Sequence, residues 1–369
     1  MRVLIVGAGV IGASIAYHLA TRGAGVVVLE REAVACAASG KSGGFLALEW
    51  CDSTPLMALA RRSFALHAAL AGSLQGDWGY RRMTTFAGEM RRSPALTRGA
   101  EPGWISPGVA IAGQIGSTAT TAQVHPAAFT IGMMRAAEAR GTELRLGEAE
   151  GLLRRGGGVV GVLFNGAALE ADAVVIAMGP WSIVAAQWLP LPLVFGLKGH
   201  SLVFQTGALI PPEALFLEYA EQGGSMLSPE VFPRDDGTTY VCGISSESAL
   251  PVDPGLVVPD EGAIDRLKAL CARVSPILAS APVLASQACF RPVTADGLPL
   301  IGAVPGAKGA YVATGHSVWG ILNAPATGEA MAELILDGTA RSTDLSPFDP
   351  ARLAALDPDR VLVTRRLGR

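Results

Sequence analysis

Apolar positions along the chain fall into runs whose period changes from segment to segment. Val3, Leu4, Ile5 and Val6 form an uninterrupted apolar run, the pattern of a strand covered on both faces. Glycines follow, then a segment with Ile11, Ile15 and Leu19 at helical spacing. A β-branched run, Val26, Val27, Val28 and Leu29, then ends on Glu30. The order is strand, turn, helix, strand. Pro55 opens a second helical pattern with Leu56, Leu59, Phe64 and Leu70 near one face, closed by Gly72. Residues 77–118 change character, with Trp78, Tyr80, Trp104, short extended runs and many glycines. Helical periodicity returns at Pro126 and runs to Arg140, where Gly141 stops it.

Strand-like segments come next at 143–146, 159–164 and 171–177, the last running into a turn at Gly179. From Pro190 to about Ala285 the pattern is mostly strands, including 201–205 and 240–244, with one helix over 261–273. A strand at 310–314 and a helix over 320–336, stopped by Gly338, close the chain. Alternation of strands and helices at both ends, around strand-rich stretches, predicts an α/β (α+β) fold: a discontinuous nucleotide-binding domain (1–76, 119–189 and 286–369) interrupted by a smaller antiparallel-sheet substrate domain (77–118 and 190–285).

The first turn carries chemistry. Gly7, Gly9 and Gly12 are spaced G-x-G-x-x-G between the first strand and the first helix. Gly7 permits the tight turn, Gly9 lets backbone approach a pyrophosphate, and Gly12 lets the helix pack on the strand. The helix N-terminus offers free N–H groups to the anion. Glu30, 18 residues past Gly12, is placed to accept hydrogen bonds from a ribose diol. The small-residue loop after it, 36–45, reads as backbone wrapped against a flat or charged ligand, with a flexible linker as the alternative.

Composition narrows the class. The 369 residues are 50% hydrophobic and 17% charged with 45 glycines, which describes a compact, loop-rich chain able to bury a large core. A net charge of −3 gives no basic footprint for nucleic acid or anionic lipid. Gly7, Gly9 and Gly12 interrupt what would otherwise resemble a signal peptide, and no run reaches the ~18 apolar residues of a membrane span. Cys36, Cys51, Cys242, Cys271 and Cys289 are scattered and lack metal-ligand spacing, so no metal is expected and a reduced, cytoplasmic setting is the simplest reading.

Near the C-terminus Gly315, His316 and Ser317 form a polar turn before the last helix. A second helix N-terminus in the same domain suits a negative charge that develops on a bound group. Together with VGAGVIGASIAYHLA, SGKSGGFLA, QVHP, VVIAMGPWS, FRPVTADGLPLIG and ATGHSVWGILNAPATGEAMAELILDG, this turn carries a resemblance over nearly the whole length. The chain resembles the FAD-dependent D-amino-acid oxidase superfamily, in particular its glycine oxidase and sarcosine oxidase branch. The resemblance implies bound FAD, a Rossmann-like FAD-binding domain, and oxidation of an amine next to a carboxylate.

By position, the resemblance places Gly7, Gly9, Val10, Ile11, Gly12, Glu30, Arg31, Ser39, Gly43, Gly44 and Phe45 at FAD, with Ala149 at the adenine and Gly179 on the same surface. Gly315, His316, Ser317, Val318, Trp319, Gly320, Ile321 and Leu322 would line the flavin's pyrimidine edge. Arg291 falls where relatives bind the substrate carboxylate, and a guanidinium suits bidentate capture of that group; a structural ion pair is the alternative. Where relatives carry further basic residues this chain has Val318 and Trp319, so a second carboxylate clamp is missing. Glu230 falls where glycine oxidase has an active-site tyrosine, so the pocket would pair one cation with one anion unless Glu230 is a solvated loop acid. His125, before Pro126, reads as a helix cap, and His316 as a flavin-edge contact. The catalytic set expected from this reading is Arg291, Glu230, His316 and Trp319.

The expected activity is FAD-dependent oxidation of an amino acid or secondary amine by hydride transfer to flavin N5, giving an imine that water hydrolyses. O2 is the expected acceptor. The alternatives are a dehydrogenase with a quinone or protein acceptor, and a non-catalytic FAD-binding assembly or trafficking factor. Cys289 aligns with the cysteine that sarcosine oxidases join to flavin, and on a strand it shares a face with Arg291; the alternative is a small apolar residue packed in the sheet. Oligomeric state is open.

Overall fold

In a computed structural model, residues 1–74, 76–91, 102–221 and 224–360 are described. Residues 92–101 of the expected 77–118 segment and 361–369 of the expected C-terminal segment lie outside them. A six-stranded sheet runs in the order Leu300–Ala303, Ala310–Thr314, Ala173–Ile176, Arg2–Val6, Gly25–Glu30, Glu143–Leu146. All pairings are parallel except that of the first two strands. The apolar runs are continuous because both faces are covered. Val3, Ile5, Val26 and Val28 face the helices Val10–Thr21, Met57–Ser73, Pro126–Glu138 and Gly320–Asp337. Leu4, Val6, Val27 and Leu29 face the three-stranded sheet that contains Gly158–Phe164.

Local chemistry sets the helix ends. His125 Nδ1 accepts from Ala128 N at 3.3 Å with Pro126 in the first turn, which is the capping role the sequence suggested. Gly141 (φ +90°) and Gly338 (φ +81°) take left-handed conformations past their helices. The second helix starts two residues after Pro55 and runs through Gly72 to Ser73 instead of stopping there.

The second large sheet runs Val283–Thr294, Val194–Gln205, Thr238–Ser246, Glu230–Pro233, Glu213–Ala220, Thr84–Met90, Val109–Gly116, with Met226–Leu227 paired beside Glu213–Ala220. Helix Ala263–Val274 covers one face through Leu267, Leu270 and Cys271 against Leu202, Leu215 and Val241. This sheet is mixed and not purely antiparallel, because Glu213–Ala220 pairs in parallel with Thr84–Met90. Val283–Thr294 pairs with Val194–Gln205 over most of its length, so the boundary expected at 286 falls within a strand of this sheet. The chain rejoins the parallel sheet at Leu300–Ala303. A small sheet of Phe45–Ala47, Thr121–Gln123 and Arg81–Arg82 sits between the two. Among the described residues no helix is long and apolar enough to cross a membrane.

Candidate active site

The three glycines of the first turn do different work. Gly7 has φ +110°, and a Cβ there would stand 2.4 Å from the Ala177 carbonyl oxygen; a Cβ on Gly12 would stand 2.0 Å from that of Gly7. Both are required by the fold itself. Gly9 differs, since its nearest neighbour would be the flexible Ser39 hydroxyl at 3.2 Å, and its open side faces a cavity. Ser39 Oγ accepts from Val10 N at 2.9 Å. Glu30 is held by Ala8 N at 2.7 Å and Glu32 N at 3.0 Å. Arg31 pairs with Glu148 and donates to Val252 O at 2.9 Å.

The cavity, of about 460 Å³, runs from this turn to the second sheet. Its wall includes Gly7, Gly9, Val10, Ile11, Glu30, Arg31, Ser39 and Gly43, then Ala149 and Gly179, and at the far end Glu230, Arg291, His316, Ser317, Val318, Gly320 and Ile321. The remaining expected residues stand behind that wall. Gly12 is the helix–strand contact. Gly44 (φ +75°) turns where a Cβ would meet Val124 O at 1.9 Å, and Gly315 (φ +80°) turns against Thr294. Phe45 packs on Trp50, Phe216 and Phe232, Trp319 lies 6.5 Å from Trp50, and Leu322 is buried.

Strand register builds the far end. Cys289 and Arg291, two apart on one strand, both reach the cavity. A Cβ on Gly199 of the neighbouring strand would stand 3.2 Å from an Arg291 guanidinium nitrogen, so glycine there makes room for the cation to lean across. Arg291 Nη1 then donates to Ser245 Oγ at 3.3 Å. Burial works against that cation, but Cys242, Glu230, Tyr240 and Cys289 around it leave its pKa raised. Glu230 is paired in register with Cys242 and Phe216. Its Oε2 accepts from Cys242 Sγ at 3.4 Å. Burial raises the Glu230 pKa over the lowering influence of Arg291 and the thiol. Glu230 is therefore no solvated loop acid.

His316 is 3% exposed, its Nε2 is 3.1 Å from Thr327 Oγ1, and burial pushes its pKa down to about 3. It is a neutral imidazole. Cys289 is pushed up by burial, against the nearby Arg291 and Lys41 charges.

Several wall residues escape sequence reasoning. Tyr240 and Cys242 share the site face of Thr238–Ser246, and the alternation in that strand carried the signal. The segment 247–260 contributes to the cavity wall. Trp181 Nε1 donates to Pro251 O at 2.7 Å, and Val252 and Pro254 line the wall. Its far end is fixed by Asp260, which takes Lys198 Nζ at 2.5 Å and Ser246 Oγ at 2.5 Å, while Asp260 N donates to His200 Nε2 at 3.1 Å. Those bonds hold the Asp260 pKa at about 2. Backbone carbonyls do much of the holding, and they leave no mark in a sequence.

These residues fit an elongated dinucleotide: a cradle over Gly9 that a Cβ would narrow, a helix N-terminus beside it, an acid at Glu30, and a polar turn at the other end.

A family model described as "FAD dependent oxidoreductase" (DAO) matches residues 2–334. A Schizosaccharomyces pombe protein that carries only the general name oxidoreductase is 30% identical over 94% of this chain and 97% of its own. The glycine oxidase of Geobacillus kaustophilus is 28% identical over 95% of this chain and 96% of its own. A crystal structure of glycine oxidase from that organism superposes with a TM-score of 0.80 at 26% identity, covering 95% of this chain and 99% of that one.

Proposed function

The chain belongs to the DAO family of FAD-dependent oxidoreductases, and we propose that within it the protein oxidises an amino acid, or a secondary amine bearing a carboxylate, to an imine that water hydrolyses. The observation that carries this reading is Arg291. Its guanidinium stands in the cavity wall at the opposite end from Gly9, with one long bond to Ser245 and donors left for a carboxylate.

Gly7, Gly9, Val10, Ile11, Ser39 and Glu30 would hold the pyrophosphate and ribose of FAD, Ala149 and Gly179 its flanks, and His316, Ser317, Val318, Gly320 and Ile321 the flavin edge. FAD supplies, when bound, a two-electron acceptor for the hydride on the carbon next to the amine. Arg291 fixes the carboxylate and so orients that carbon. Neutral His316 and Thr327 give the flavin end a fixed polar edge without a mobile proton. Segment 247–260, tied down at Trp181, Arg31 and Lys198, shields the interior from water. The reaction needs a neutral amine and oriented carbon; no side-chain base is assigned. Five free thiols fit a reducing compartment, and the cytoplasm is the location we propose.

The test is anaerobic mixing of the purified yellow protein with a panel of amino acids and secondary amines. Bleaching of the flavin supports the reading, and its absence across the panel overturns it in favour of a non-catalytic flavin carrier. Recovery of colour on admitting air identifies an oxidase; recovery only with a quinone identifies a dehydrogenase.

A further inference from the structure

We infer that the substrate carries a second, cationic group beyond the reacting carbon, an amine or guanidinium received by Glu230 while Arg291 holds the carboxylate. The inference rests on the amine-oxidising reading above and narrows its substrate to the dibasic class.

Three observations lead there. The two opposite charges in the cavity wall feel each other without a direct hydrogen bond: Arg291 donates to Ser245 Oγ at 3.3 Å, and Glu230 accepts from the Cys242 thiol at 3.4 Å. A thiol is a weak donor, so the carboxylate keeps most of its accepting capacity inside the protein. A half-buried acid in that condition is costly unless a cation joins it.

Register then sets the spacing. Glu230 stands in a cross-strand row with Cys242 and Ser201. The Arg291 guanidinium leans over Gly199, whose partner across the sheet is Ser245. Glu230 lies two strands from Gly199 and one from Ser245, offset by one pleat repeat, so anion and cation stand on the order of 10 Å apart. An extended chain with a carboxylate at one end and a cation at the other spans such a gap.

The third observation is direction. Glu230 borders two spaces, the inner cavity and an open groove whose other walls include Phe216, Glu218, Glu89 and Arg91. Glu218 and Glu89 are directly paired across adjacent strands, an arrangement of like charges that is unfavourable without a cation nearby. Among the described residues Arg91 pairs with Glu89 at 3.2 Å. The way outward from the reacting centre thus passes Glu230 and grows more acidic, which guides a cationic side chain and repels an anionic one.

The experiment compares lysine with norleucine, which matches it in length but lacks the ε-amine, on the FAD-loaded protein. Calorimetry gives the two dissociation constants and anaerobic mixing gives flavin reduction. Wild type should bind lysine roughly 10- to 100-fold more tightly, the range for a charge-assisted hydrogen bond. Glu230→Gln should bring that ratio near one, and Glu230→Asp, which keeps the charge, should retain a preference. A ratio near one in wild type, or a ratio that survives Glu230→Gln, overturns the inference. Equal weakening of both ligands by Glu230→Gln also overturns it, because Glu230 would then serve the reacting amine. A clear preference without flavin reduction leaves the inference standing and refutes the amine-oxidising reading instead.

Discussion

The Ser39 hydroxyl accepts the Val10 backbone N–H at 2.9 Å, which fastens the small-residue loop to the N-terminus of the first helix directly over Gly9. The loop and the glycine turn therefore form one surface. Enlarging Gly9 should disturb that surface while sparing the fold, whereas enlarging Gly12 presses on the Gly7 carbonyl at 2.0 Å and should break the helix–strand contact. Gly9→Val should purify folded and colourless, with unchanged far-ultraviolet circular dichroism. Gly12→Val should lose about 1–3 kcal/mol or more of stability, read as a fall in Tm or as insolubility. A yellow Gly9→Val protein would contradict the assignment of the pyrophosphate to this turn.

Arg291 offers a second separation of roles. Truncation to alanine removes a charge-assisted contact to substrate but none to FAD, so the variant should retain flavin while its reduction by amino acids weakens roughly 10- to 100-fold. Arg291→Lys keeps the charge without the planar fork and should fall between the two. Wild-type rates and saturation in Arg291→Ala would make the residue structural.

Three histidines set an acid limit on the fold. Burial holds His18 and His67 at pKa values of about 4 and His316 at about 3. His67 Nε2 donates to Ile321 O at 2.9 Å beneath the last helix. In the unfolded chain each titrates near 6.5, so between about pH 6.5 and 4 the unfolded state binds more protons than the folded one. The contribution of these histidines should therefore be flat above pH 7 and be lost as pH falls through that window, by roughly 3 kcal/mol for each such group. Denaturant midpoints measured at pH 7.5, 5.5 and 4.5 check this, and His67→Gln should show a shallower decline than wild type.

The part of the site written in local spacing was legible in the sequence. Val3 to Glu30 announced its strands by apolar runs and its turn by glycines, because strand, turn and helix are set there by local spacing. Arg291 and Cys289 were legible as a pair because strand period alone puts them on one face. What the sequence did not disclose depends on distant pairing. Nothing in Glu213–Ala220 marks its parallel alignment with Thr84–Met90, and nothing in Val283–Thr294 says that it joins Val194–Gln205 before the chain returns to the parallel sheet. For Glu230 the sequence left two readings open, the pocket's anion and a solvated loop acid, and register beside Cys242 is what distinguishes them. The segment 247–260 in the cavity wall is held in part through the carbonyls of Pro251 and Val252, which any residue would supply.

The bond between flavin and protein can be decided at Cys289. Its side chain lies in the cavity wall with Arg291, as a link to the flavin 8α position would require. The chemistry points the other way. A thioether at that position requires the thiolate, and burial raises the Cys289 pKa despite the neighbouring Arg291 and Lys41 charges, so the thiol stays protonated at neutral pH. The FAD should accordingly be noncovalent. Acid precipitation should release yellow colour to the supernatant, and Cys289→Ala should retain the wild-type flavin content. Colour that stays with the pellet in wild type, and is lost from it in Cys289→Ala, would show that bound flavin itself activates the thiol, overcoming the cost of burying its charge.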